Sequence, residues 1–191
     1  MNAMGAASDV VWVLMPGNYD HTNATALWRQ VTQDAPSNVT VLLSLTPFLL
    51  ADGAVLLPEP PSERHPGRDL KEWFDSADTV DAVRIGIAHG SVTDFQRSED
   101  GGSSIIPIDR ARRAGLAYLG LGDWHGQVQI SPETWYSGAP EADSFKHTKS
   151  PSALLVEVEG SVHQPRSLPC PPVIIWHRAH LELSVSVSVV E

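Results

Sequence analysis

Cysteine is almost missing from this chain: Cys170 is the only one among 191 residues. A lone cysteine cannot close an internal disulfide, and between Pro169, Pro171 and Pro172 it reads as a loop residue, so a reducing, cytoplasmic setting is expected. Long apolar runs are missing too. No stretch approaches the roughly 20 residues that span a bilayer, and Met1 to Ala7 lacks the basic start and apolar stretch of a signal peptide. Neither a membrane partner nor export is expected. Basic residues are few, 13 against 23 acidic ones, for a formal charge of −10. That balance argues against a dedicated nucleic-acid-binding module, because nonspecific attachment to phosphate backbones uses Lys and Arg clusters that release counterions. It leaves room for a nuclease. Bound divalent cations bring positive charge to such a site, and the carboxylates that hold them count on the acidic side.

What is present is enough for one core. At this length, with 42% hydrophobic residues, the chain suits a single soluble domain and is short for two. Residues 1–191 are taken as one domain, with the core over 10–160 and a C-terminal extension over 161–191. No internal repeat, heptad pattern or long low-complexity tract interrupts it.

Apolar runs at Val10 to Met15, Val39 to Leu43, Ala54 to Leu57, Val83 to Ile87, Leu116 to Leu121 and Ala153 to Val158 predict strands. A turn at Asp52-Gly53 suits a hairpin or an edge pair. Asn23 to Gln33 carries Ala26, Leu27 and Val31 near helical spacing, with Thr22 or Asn23 as N-cap. Asp69 to Ala77 and Asp109 to Ala114 are further helices, the latter stopped by Gly115. Pro58 to Arg68 and the polar, glycine-containing Thr93 to Ser104 read as loops, the second lying just past His89. Trp135 to Pro140 reads as turn-rich, and Leu181 to Val190, alternating Ser and Val, as a half-buried strand.

Three polar segments each follow an apolar run: Gly17-Asn18-Tyr19-Asp20-His21, Ala88-His89-Gly90 and Gly122-Asp123-Trp124-His125. All three therefore sit where strands give way to loops, which is where open α/β sheets collect ligands. Asn18, His89, Asp123 and His125 form a mixed amide, carboxylate and imidazole set, the kind that suits a transition metal. If the segment at Asp123 is extended, Asp123 and His125 point to the same side and Trp124 to the other. Each residue has an ordinary reading as well. Asn18 serves a turn, His89 is a hydrogen-bonded histidine at a strand end, Asp123 caps a loop, and His125 is an exposed polar residue. The conjunction of three strand-end segments, each with ligand-type residues beside glycine, favours a shared site. His65, His147, His163, His177 and His180 have no such setting and are taken as surface residues.

These segments resemble the calcineurin-like metallophosphoesterases, and within them the bacterial exonucleases of DNA double-strand-break repair. Leu14-Met15-Pro16-Gly17-Asn18-Tyr19-Asp20 is similar to that family's third motif, Gly-Asn-His-Asp or Glu. Ile87-Ala88-His89-Gly90 is similar to the fourth, a lone His after a strand. Tyr118 to Gly126 is similar to the fifth, Gly-His-x-His, with Asp123 in place of its first His. Trp135-Tyr136-Ser137-Gly138-Ala139-Pro140-Glu141 resembles the Tyr-x-Gly-Ser-Pro element that follows in the repair nucleases, and it favours the nuclease branch. The likeness covers most of Val10 to Val158.

The resemblance implies a layered α/β sandwich with mixed β-sheets, of the metallo-dependent phosphatase type, and a dinuclear centre of divalent ions, manganese foremost, with iron, zinc and magnesium as alternatives. Asn18, His89 and Asp123 would hold the second metal and His125 the first. Tyr19 replaces the family's His beside Asn18, so either Tyr19 or His21 would take the catalytic acid role. Expected chemistry is hydrolysis of a phosphodiester, with DNA as candidate substrate and phosphomonoesters or cyclic nucleotides as alternatives. Ligating imidazoles must be neutral, so activity would fall as pH drops through the ordinary imidazole range near about 6.5. The family's first two motifs, Asp-x-His and Gly-Asp-x-x-Asp, have no counterpart in Met1 to Pro16. A chain lacking its N-terminal elements is therefore expected, with an incomplete ligand shell, an exposed sheet edge or apolar face, and poor solubility. The competing expectation is a noncatalytic remnant that at most binds a metal or a partner.

Overall fold

The computed structural model describes residues 1–50, 53–63, 72–79, 81–92, 105–141, 151–159, 161–162 and 165–171. The expected loop at Thr93 to Ser104 and the expected strand at Leu181 to Val190 lie outside these residues, as do positions 64–68 of the Pro58 to Arg68 loop.

A short helix α1 (Asn2–Ala6) precedes β1 (Trp12–Leu14), α2 (Thr25–Gln33) and β2 (Val39–Val41). β1 and β2 pair in parallel, Trp12 opposite Val39 and Leu14 opposite Val41, so β1, α2 and β2 form a βαβ unit. α2 buries Trp28 and leaves Leu27 47% exposed. Neither expected cap residue caps it. The N-cap is Ala24, without a side-chain hydrogen bond; a turn closed by Ala24 N–H on the His21 carbonyl (2.8 Å) starts the helix, and the Thr22 N–H is engaged by the Pro61 carbonyl at 2.9 Å.

The main sheet has six strands in the order β3 (Phe48–Leu49), β4 (Ala54–Glu59), β5 (Val83–His89), β8 (Tyr118–Gly122), β10 (Thr134–Tyr136) and β9 (Val128–Gln129). The four central strands are parallel, and β3 and β9 close the edges in antiparallel sense. Of the turn expected at Asp52-Gly53, Asp52 lies outside the described residues; Gly53 precedes β4 at φ +75°, and Leu50 N–H bonds the Ala54 carbonyl at 2.9 Å. Proline normally ends a central strand. β4 nevertheless continues through Pro58 to Glu59, which lie opposite Ile87 and Ala88 of β5. Trp135 and Tyr136 belong to a strand and not to a turn, because β10 docks on β8 with Trp135 opposite Gly120 and Tyr136 opposite Leu121; aromatic residues fit a pleated, half-buried surface well.

Alternation sorts the sheet into two faces. One face presents Val55, Leu57, Ala88, Leu119, Leu121 and Tyr136, and it packs against Phe74 of α3 (Trp73–Ser76), Ala111 of α4 (Arg110–Arg113), Ala114 and Leu116 to make the core. Val92 of β6 (Ser91–Val92) and Ile106 of β7 (Ile105–Ile106), a parallel pair, join the same core. Fully burying each large apolar side chain contributes roughly 1.5–3 kcal/mol. Charged side chains fasten the helices. Arg110, 1% exposed, bonds Asp75 through Nη1 at 2.9 Å and ties α4 to α3. Arg84 of β5 donates to the Ala114 carbonyl at 2.6 Å and to the Phe74 carbonyl, satisfying chain ends that would otherwise be orphaned. Gly115, at φ +62°, stops α4 where the sequence places the stop.

Towards the C-terminus, β11 (Ser152–Leu155) pairs with β14 (Arg166–Pro169), and β12 (Val158–Glu159) with β13 (Ser161–Val162), all antiparallel. The chain is thus mixed α/β, organised by a six-stranded mixed sheet. Among the described residues no helix is long and apolar enough to cross a membrane.

Leu57 and Phe74 are both 0% exposed. Leu57→Ala and Phe74→Ala are expected to lower the unfolding free energy by about 2–5 kcal/mol in urea titrations, whereas Leu27→Ala at the exposed face of α2 should stay within about 0.5 kcal/mol.

Candidate metal centre

The second sheet face carries His89 and Gly122 at the C-terminal ends of neighbouring parallel strands, directly opposite each other in register. The imidazole lies close against this glycine. A Cβ on Gly122 would come to 2.7 Å from His89 Nδ1, a distance at which something must shift. The ring also meets Gly17, where a Cβ would stand 3.0 Å from His89 Cε1. Glycine is needed at these two places because a ring approaches the backbone, and this close approach brings the loop after β1 onto the end of β5. The loop itself is held by Asp20, whose carboxylate accepts the Gly17 N–H at 2.6 Å, and by Trp28, whose indole N–H donates to the Asp20 carbonyl at 2.5 Å.

Three of the four expected ligands meet here. Asn18 Nδ2 donates to Asp123 Oδ1 at 3.2 Å, and His89 Nε2 is 3.6 Å from the same oxygen. The His89 and Asp123 side chains are 19% and 20% exposed, so the pair is shielded yet open to a small ion. The second carboxylate oxygen, Oδ2, accepts from Ser91 Oγ at 2.9 Å. Asp123 has φ +100°, a backbone conformation that L side chains rarely adopt; such outliers cost roughly 1–3 kcal/mol and persist where the surroundings over-determine them.

That same backbone corrects one expectation. Positive φ at Asp123 turns the chain out of the strand, and residues 123, 125 and 126 are bends, so the alternation that would align Asp123 with His125 does not hold. The His125 side chain is exposed, and its carbonyl accepts the Ala139 N–H at 2.9 Å. Among the described residues no group of three His, Cys, Asp or Glu side chains is placed to hold an ion; the donor set at His89 and Asp123 reaches three through the amide of Asn18. Of the two residues considered for the acid role, Tyr19 is 81% exposed on the loop beside Asn18, while His21 is half-buried and its Nδ1 has no hydrogen-bond partner among the described residues.

Sequence reasoning missed Ser91, Asp20 as a loop clasp, and Tyr136. The Tyr136 phenol is 1% exposed. It donates to the Gly90 carbonyl at 2.8 Å and accepts the Val92 N–H at 3.0 Å. Burial pushes its pKa up to about 12; the Val92 hydrogen bond opposes the rise and the Asp123 charge adds to it. Tyr118 is likewise pushed up to about 12 by burial, eased by a hydrogen bond with Ser137. The signal for Ser91 was its position directly after His89-Gly90 at the end of a strand.

With the Asn18 amide turned to offer its oxygen in place of the Nδ2 that donates to Asp123, an imidazole nitrogen, a carboxylate oxygen and an amide oxygen would suit a divalent transition ion. No protein-family model matches the chain, and no curated protein matches it either.

Gly122→Ala is expected to displace the His89 ring and to destabilise the fold by about 1–3 kcal/mol, the usual cost of overpacking, as read by urea denaturation. A pH effect follows from the tyrosines. Their folded pKa values of about 12 lie above the ordinary value of 10.0, so the fold keeps its full advantage below pH 10 and loses it progressively from 10 towards 12, where the unfolded chain alone releases these protons. Denaturation midpoints measured across that window should fall, and less steeply in Tyr136→Phe.

Proposed function

We propose that this chain is a metal-dependent phosphoesterase that hydrolyses phosphodiester bonds, of the DNA repair exonuclease type, on a layered α/β sandwich with mixed sheets. The observation that carries this reading is the meeting of Asn18, His89 and Asp123, from three strand ends far apart in sequence, within 3.2 and 3.6 Å of one carboxylate oxygen. A donor set of this kind at the carboxyl ends of parallel strands is where such folds place ligands. The likeness of the surrounding segments to calcineurin-like metallophosphoesterases supports the choice of reaction, and the Tyr136 to Pro140 stretch supports the nuclease branch.

His89 would hold a divalent ion through its imidazole, Asp123 through its carboxylate and Asn18 through its amide oxygen, with His125 as the ligand of a second ion. When bound, such ions neutralise charge on the phosphate and activate water for in-line attack; manganese is the first choice, then iron, zinc and magnesium. Tyr19, exposed beside Asn18, would donate a hydrogen bond from its phenol to a phosphate oxygen, and His21 is the other candidate for the acid role on this loop. Phosphodiesters, DNA among them, are the substrates, and a cytoplasmic setting suits the single cysteine.

The test is an assay of the purified chain with Mn²⁺ on a bis-aryl phosphodiester, an aryl phosphomonoester, a cyclic nucleotide and linear DNA. Turnover of the diester and of DNA is expected, falling to background in Asn18→Ala and His89→Ala. Turnover confined to the monoester or the cyclic nucleotide would redirect the substrate class. Metal binding without turnover of any of the four would leave a binding module in place of an enzyme, and variants as active as the parent would remove both residues from the site.

A further inference from the structure

The two oxygens of Asp123 have different surroundings. Oδ1 faces Asn18 and His89, whereas Oδ2 is held by Ser91 Oγ at 2.9 Å. Ser91 is in turn held on both sides by a single buried group. The Tyr136 phenol bonds the carbonyl of Gly90 and the N–H of Val92, the residues immediately before and after it. Gly90 N–H also reaches the Gly122 carbonyl at 3.3 Å, which extends the ladder between β5 and β8 by one residue beyond His89. Every part of this chain of contacts is anchored: Tyr136 at 1% exposure, Val92 at 2%, and the strand pair itself.

We propose that Ser91 is the positioning residue of the candidate metal centre, fixing the plane of the Asp123 carboxylate so that one oxygen is engaged by the hydroxyl and the other is presented beside His89, and that Tyr136 sets Ser91 in place. The inference rests on the reading of Asn18, His89 and Asp123 as metal ligands. The Asp123 carboxylate, carried by a residue whose backbone is at φ +100°, turns freely about its Cβ–Cγ bond unless a partner holds one of its oxygens. The Ser91 hydroxyl removes that freedom by occupying one oxygen as an acceptor. Outer hydrogen bonds of this sort orient a ligand and raise its affinity for the ion, and their loss typically costs about 10–100-fold in metal affinity.

The experiment is a Mn²⁺ titration of the full chain by calorimetry, with urea denaturation of each variant alongside. Ser91→Ala should weaken Mn²⁺ binding about 10–100-fold, Ser91→Thr, which keeps the hydroxyl, should restore most of it, and Tyr136→Phe should weaken it in the same direction. The restoration by threonine separates positioning from simple packing, since a packing role would favour alanine over the larger residue. If the parent chain binds Mn²⁺ and Ser91→Ala binds it equally well, Ser91 positions nothing and the inference is overturned. If the parent chain, folded by its urea transition, binds no Mn²⁺, the metal reading itself fails and takes the inference with it.

Discussion

The imidazole of His89 lies hard against two glycines, and much of the candidate site follows from that single steric fact. Gly122 and Gly17 both approach its Nδ1 and Cε1, and neither position has room for a Cβ without moving the ring. Removing side chains at these two places lets the loop after β1 approach the end of the main sheet closely enough for Asn18 to bond Asp123. Local packing thereby joins the βαβ unit of β1, α2 and β2 to the six-stranded sheet at the point where chemistry-bearing residues collect.

The two faces of that sheet divide the labour. One is closed by Phe74, Ala111, Leu116 and their neighbours and supplies the burial that holds β4, β5, β8 and β10 together. The other carries His89 and Gly122 toward the loop. Tyr136 connects them, because its side chain lies in the core while its phenol oxygen holds Gly90 and Val92 on either side of Ser91. A buried hydroxyl with both a donor and an acceptor partner avoids the cost of an unsatisfied polar group. It also passes the rigidity of the core to the residues around the candidate centre.

Much of the fold was legible in the sequence because its strands are short apolar runs bounded by glycine and polar residues. The runs at Val83 to Ile87 and Leu116 to Leu121 became β5 and β8 within two residues at either end, and Gly115 stopped α4 as its position suggested. Where the reading failed, a tertiary contact outweighed a local preference. Trp135 and Tyr136 sit among turn-forming residues, yet pairing with β8 makes them strand. Pro58 should have ended β4, yet the ladder to β5 carries it to Glu59. Thr22 was a plausible cap for α2, yet the loop is bonded to Pro61 at Thr22 and the helix begins only after Ala24.

The sequence by itself determined which residues are chemically able to act, since the imidazole of His89, the carboxylate of Asp123 and the amide of Asn18 are matters of composition, and their places after apolar runs put them at strand ends. The tertiary structure decided which of them meet. Backbone geometry at Asp123 is set by contacts and not by a two-residue period, so it could separate Asp123 from His125 in a segment whose spacing alone would align them. Ser91 and Tyr136 emerged only from the folded chain, because a hydrogen bond between residues 32 or 46 positions apart leaves no periodic trace in the order of amino acids.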